Sequence, residues 1–202
     1  SADPPSTPGA IDEVFDDGDK AFVRLTADGS QRLWQTYFPA QTIDDLIVDE
    51  EALAYFCGSV SPSWPSFPST PGAFQETGSA VGDGFVTKMN GNGTELLGST
   101  YLGGLGSDRV WGIDIDPAHG VYVAGTTNSP DFPVSAGAFQ ITASGTEGFV
   151  AKFLPGGSGL AWSSYIEATG FSGSTSVRDV SVDLAGKAFV LGWWKGPSFP
   201  VP

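Results

Sequence analysis

Apolar and polar positions along the chain fall into short alternating runs. Ile113-Asp114-Ile115-Asp116 and Val180-Ser181-Val182-Asp183 place apolar side chains at every other position, and Leu46-Ile47-Val48-Asp49 closes on Asp in the same way. Period-two alternation predicts a strand with one buried face. Short apolar runs flank these segments. Ala21-Phe22-Val23-Arg24-Leu25, Gly84-Phe85-Val86-Thr87-Lys88-Met89 and Gly148-Phe149-Val150-Ala151-Lys152-Phe153 each precede a turn, at Asp28-Gly29, Asn92-Gly93 and Gly156-Gly157. Such pairs suit a tight hairpin, where φ > 0 is required. A second strand then ends in Thr36-Tyr37-Phe38, Thr100-Tyr101-Leu102 or Ser164-Tyr165-Ile166. The alternating run is the third strand. Ala54-Tyr55-Phe56-Cys57-Gly58, Val121-Tyr122-Val123-Ala124-Gly125 and Ala188-Phe189-Val190-Leu191-Gly192 are the fourth.

These elements form one unit written three times. With Phe22, Phe85 and Phe149 as anchors, the copies stand 63 and 64 residues apart. A connector links them. Phe67-Pro68-Ser69-Thr70-Pro71-Gly72-Ala73-Phe74-Gln75 recurs as Phe132-Pro133-Val134-Ser135-Ala136-Gly137-Ala138-Phe139-Gln140, with a tail at Ser6–Ala10 and a head at Phe199–Val201. The expected organisation is a tail of a preceding copy at 1–12 and repeats at 13–76, 77–141 and 142–202. Each repeat is expected to make one four-stranded antiparallel sheet, with the connector crossing from sheet to sheet. A small sheet cannot bury both faces alone, so neighbours stack on it. Radial stacking of four-stranded sheets is a β-propeller, which usually holds about four to eight of them. The fold class is therefore all-β, with about three propeller blades present. Further blades of the same array, other copies or a protein partner are expected to complete the ring.

The repeat resembles the bacterial SBBP β-propeller repeat. The second copy carries the resemblance in Phe85-Val86-Thr87-Lys88, Ser99-Thr100-Tyr101-Leu102-Gly103-Gly104, Gly112-Ile113-Asp114-Ile115-Asp116, Tyr122-Val123-Ala124-Gly125-Thr126-Thr127 and Phe132-Pro133. The flanking copies drift: Pro39-Ala40 stands for the Gly pair in the first, and Gly170–Thr175 is inserted in the third. The resemblance implies a bacterial, extracytoplasmic protein, in the periplasm, on the cell surface or secreted.

Composition narrows the function. Lys and Arg number 9 against 23 Asp and Glu, a formal charge of −14. That excludes a surface built for nucleic-acid phosphates or anionic lipid. Residues 1–75 hold 12 of the acids and 3 of the bases. Only 16% of residues are charged, while 28 Gly and 15 Pro suit short strands and tight turns. No apolar run is long enough for a transmembrane helix. One cysteine, Cys57, leaves no internal disulfide, and one histidine, His119, leaves no material for a zinc or Cys-His site.

Candidate chemistry is correspondingly thin. His119 is expected in an exposed turn, and Cys57, aligned with Ala124 and Leu191, in the core. Asp49, Asp116 and Asp183 close the third strand in each copy, where Asp ordinarily accepts turn N–H groups; calcium is the alternative reading. No pair of carboxylates is singled out for glycoside hydrolysis. Trp34, Trp111 and Trp162 are expected in the core. Trp64, Trp193, Trp194 and Phe171 form the candidate contact surface, since Trp193-Trp194 replaces Thr126-Thr127 and adjacent strand residues face opposite ways. The expected function is a non-enzymatic scaffold or protein-interaction module without a cofactor, as an accessory subunit of an envelope complex. A carbohydrate-binding or carbohydrate-cleaving propeller and a calcium-dependent adhesin are the alternatives.

Overall fold

The computed structural model describes residues 6–16, 18–62, 67–143, 145–166 and 174–195. Among them are twelve strands and no helix. In chain order these are β1 (Lys20–Leu25), β2 (Arg32–Phe38), β3 (Thr42–Val48), β4 (Ala54–Val60), β5 (Asp83–Met89) and β6 (Leu96–Leu102). They continue with β7 (Asp108–Ile115), β8 (Val121–Thr127), β9 (Glu147–Phe153), β10 (Leu160–Ile166), β11 (Thr175–Val182) and β12 (Ala188–Trp194). All pairing is antiparallel. The sheets are β1-β2, β3-β4-β5-β6, β7-β8-β9-β10 and β11-β12. The chain is thus a partial β-propeller: two complete sheets between two half sheets, with no closed ring.

The sheets are out of frame with the sequence repeat. Each complete sheet takes its first two strands from one copy and its last two from the next. The Phe-Pro connector does not cross between sheets as expected. It joins β4 to β5, which are hydrogen-bonded neighbours, Ala54 opposite Met89 through Val60 opposite Asp83. Sheet-to-sheet passage falls instead to the shorter loops at 39–41 and 103–107. The connector is a strap. Phe67 and Phe132 at its head are buried, and its tail reaches the next sheet, where Phe74 meets Phe153 edge to face at 6.2 Å. The Phe74 amide donates to Gly157 O at 3.2 Å, as Ile11 N does to Gly93 O at 2.9 Å.

The first copy also departs from its Phe anchor. Tyr101 faces Phe85 and Tyr165 faces Phe149, but Tyr37 faces Ala21. By pairing, Ala21, Phe85 and Phe149 are equivalent, a uniform step of 64 residues, and Phe22 stands where Val86 stands. A one-residue offset turns a side chain to the other face. Phe22 therefore points into the complete sheet that follows and stacks on Phe56 at 4.3 Å, while the exposed Ala21 takes the other side.

Three apolar clusters lie between the four sheets. The first joins Phe22, Phe38, Phe56, Phe67 and Phe85. The second, between the complete sheets, includes Tyr55, Cys57, Val86, Phe149 and Phe153. The third holds Tyr122, Ala124, Val150, Val177 and Val180. Aromatic pairs dominate the first, which suits the slack space between twisted sheets because edge-to-face rings fill it with large area.

Candidate functional site

The first strands of successive sheets touch: β7 packs on β3 and β11 on β7. These strands mark the edge on which the sheets converge. Each carries an irregularity at the same place. Pairing skips one residue between Ile43 and Asp45, between Val110 and Gly112, and between Val177 and Asp179. The extra residues are Asp44, Trp111 and Arg178, and a bulge re-aims the residue it carries. They join into one ladder across three sheets. Arg109 grips Asp44 with two guanidinium nitrogens, Nε to Oδ2 at 2.8 Å. The Trp111 ring lies 3.6 Å from the Arg109 guanidinium carbon and 4.0 Å from that of Arg178. Trp111 is therefore a stacking partner for two cations rather than a core residue. Beside it a hollow of about 330 Å³ is lined by Thr126, Asn128, Ser176, Arg178 and Trp193.

The recurring Asp residues cap turns. Asp49 Oδ1 accepts from Glu51 N and Leu53 N; Asp116 Oδ1 accepts from Ala118 N and Gly120 N; Asp183 Oδ1 accepts from Ala185 N and Lys187 N. Their second oxygens differ. Asp116 Oδ2 takes Lys152 Nζ at 2.8 Å and the Tyr122 hydroxyl at 3.2 Å, and Lys152 also lies over the Tyr122 ring. Burial pushes the Asp116 carboxyl up, but the Lys152 bond and the turn amides outweigh it and hold it below the usual range. Asp49 Oδ2 accepts from Tyr55 OH and lies 3.4 Å from His119 Nδ1. His119 is thus only part exposed, at a sheet junction, with φ 60°. Asp49, Glu51 and His119 bring ligand atoms within 4.8 Å of one another, but the Asp49 carboxylate already serves two amides and a hydroxyl.

Two buried carboxyls escaped the sequence reading. Asp83 starts β5 and Asp108 starts β7. Burial pushes both above the usual carboxylate range. Asp108 Oδ2 accepts Gly104 N at 2.9 Å and Ser129 Oγ at 2.8 Å, while Asp83 Oδ2 accepts Ser79 N. A Cβ on Gly103 would fall against both carboxyls. Paired acids with raised values are a frequent sign of catalysis. Here each is 3% exposed and ties loop amides, so they act as staples. Asp108 Oδ1 is buried without a hydrogen-bond partner. Asp108→Asn is therefore expected to raise stability at neutral pH by about 1 kcal/mol in denaturant unfolding. The folded-state carboxyl protonates at higher pH than the unfolded one, so acidification relieves the same cost. The gain should fade as pH falls through that range.

The candidate contact surface divides. Trp64 and Phe171 lie outside the described residues. Trp193 and Trp194 are 49% and 48% exposed, so both faces of β12 are open rather than one. Among the described residues β12 pairs with β11 alone, and Phe189, Val190 and Leu191 are exposed beside them. Cys57 is fully buried.

Residues 98–133 match the family model of the SBBP β-propeller repeat. That segment runs from β6 through β7 and β8 to the head of the second connector, and so spans two sheets. No curated protein matches the chain.

Proposed function

We propose that this protein is a non-enzymatic, extracytoplasmic propeller module that joins other proteins through its open half sheet, as an accessory part of a cell-envelope complex. One observation carries the reading: β12 is a free sheet edge with Phe189, Leu191, Trp193 and Trp194 exposed along it. An uncovered edge with apolar side chains is a template for another strand. Aromatic residues clustered there are what protein contacts favour. The extracytoplasmic setting is carried over from the repeat family.

Carbohydrate chemistry draws less support. Guanidinium groups stack on the Trp111 ring where a sugar would, and the buried acids Asp83 and Asp108 hold loop amides. The test is a photoreactive phenylalanine analogue placed at Leu191, in the cells that make the protein. Illumination should give protein adducts in the periplasmic or surface fraction. The reading fails if the chain stays free or fractionates with the cytoplasm.

A further inference from the structure

The two half sheets are complementary halves of one sheet. The half sheet β11-β12 corresponds to the first two strands of a complete sheet, and β1-β2 to the last two. We propose that a second copy of this chain supplies the missing pair, its β1 adding to β12 at both junctions of a closed dimer. This rests on the docking role of the β12 edge and names its partner.

The internal junctions fix the register. In β4-β5 and β8-β9 the facing pairs include Tyr55↔Lys88, Phe56↔Thr87 and Cys57↔Val86, and Tyr122↔Lys152, Val123↔Ala151 and Ala124↔Val150. Stepping each strand by its own repeat places Phe189 opposite Arg24, Val190 opposite Val23 and Leu191 opposite Phe22 of the second copy. The pair chemistry follows. Lys88 lies over the Tyr55 ring at 4.8 Å and Lys152 over Tyr122 at 4.6 Å; Arg24 would lie over Phe189. Asp116 meets Lys152; Asp183, its equivalent, would meet Arg24.

Exposure supports the same partner. Val190 is 40% exposed, against 0% for its equivalents Phe56 and Val123. On the receiving end Val23 is 46% exposed where Thr87 and Ala151 are buried, and Leu46 is 48% exposed where Ile113 and Val180 are at 3%. The third connector agrees. Ile11 packs on the cluster containing Met89, and Phe74 packs on Phe153; Phe139, their equivalent, is 63% exposed and would meet Leu25 of the second copy, itself 53% exposed. One copy holds two complete sheets and two halves. Two copies joined at both ends hold four complete sheets and two joined ones, six in all, within the range of about four to eight that closes a propeller. A head-to-tail contact that closes gives a finite ring.

The test uses the whole chain. Native mass spectrometry at micromolar concentration should give twice the chain mass of 20.9 kDa. In a Cys57→Ala background, a Val190→Cys chain mixed with a Val23→Cys chain should form a disulfide on oxidation, since facing strand residues lie about 4.5–5.5 Å apart. A Leu191→Cys chain mixed with the Val23→Cys chain, one residue out of register and on the opposite face, should not. Leu191→Lys, at an exposed position, should give monomer with unchanged circular dichroism. A monomeric parent chain, or a link from Leu191→Cys in place of Val190→Cys, overturns the proposal. Photo-adducts at Leu191 to a different protein alone would sink the second copy and leave the docking role standing. No adduct at all would sink both.

Discussion

Gly125→Ala is expected to destabilise the fold by about 3 kcal/mol or more, read as a loss of unfolding free energy in denaturant. Gly125 faces Val110 across the bulge that carries Trp111, and the bulge swings the Arg109 carbonyl over the glycine. A Cβ would overlap that oxygen and stand 2.7 Å from the Phe149 ring. Neither can yield: the carbonyl is backbone, and Phe149 is fully buried. The relief routes are loss of the bulge, which would let go of Trp111, or a shift of β9, which would open the cluster between the complete sheets. Gly137→Ala is the control. It has φ +79° with nothing within 4 Å, so it strains the backbone without a collision and should cost about 1 kcal/mol. Equal losses at the two sites would refute the collision.

Asp116→Ala is expected to cost about 2–3 kcal/mol, because it strips a nearly buried carboxylate from two turn amides, a hydroxyl and Lys152 together. The lower end of the range for broken pairs applies, since the Lys152 side chain is 24% exposed and reaches water once released. The pH dependence has a definite sign. The folded-state carboxyl lies below its unfolded value of 3.8, so its stabilisation is complete above that value and is lost as pH falls through the folded one. The variant should therefore match the parent most closely in acid. Asp183→Ala should cost only about 1 kcal/mol. It holds the same two turn amides but has no facing lysine among the described residues. A large loss at Asp183 in dilute monomer would overturn this account.

Much of the architecture was legible in the sequence. The strands announced themselves because each hairpin turn carries residues suited to φ > 0 and each third strand alternates up to its closing Asp. Which strands share a sheet was not legible. Gly91–Gly93 signals a hairpin between β5 and β6, but nothing in the 22 residues between Val60 and Asp83 signals that β4 and β5 also pair. Pairing across a long strap leaves no local mark. The Phe22 register was misread for a related reason. Ala-Phe-Val and Gly-Phe-Val look alike, and only the partner Tyr37 reveals the one-residue offset. The Asp44-Arg109-Trp111-Arg178 ladder was hidden because it is built from unlike residues at equivalent bulges, so repetition could not expose it. Trp193 and Trp194 were found because they break the repeat at a strand end, although both prove open where one was expected.

The half-step offset between repeat and sheet also bears on how such an array changes size. Adding or deleting one whole repeat cuts two sheets at the same internal seam and rejoins them there. The outermost strands keep their sequences and their pairing preferences. An unequal crossover in the gene would therefore change the number of sheets by one without inventing a new edge. The angle spanned by the array, rather than the chemistry of its ends, would then decide which lineages kept a ring.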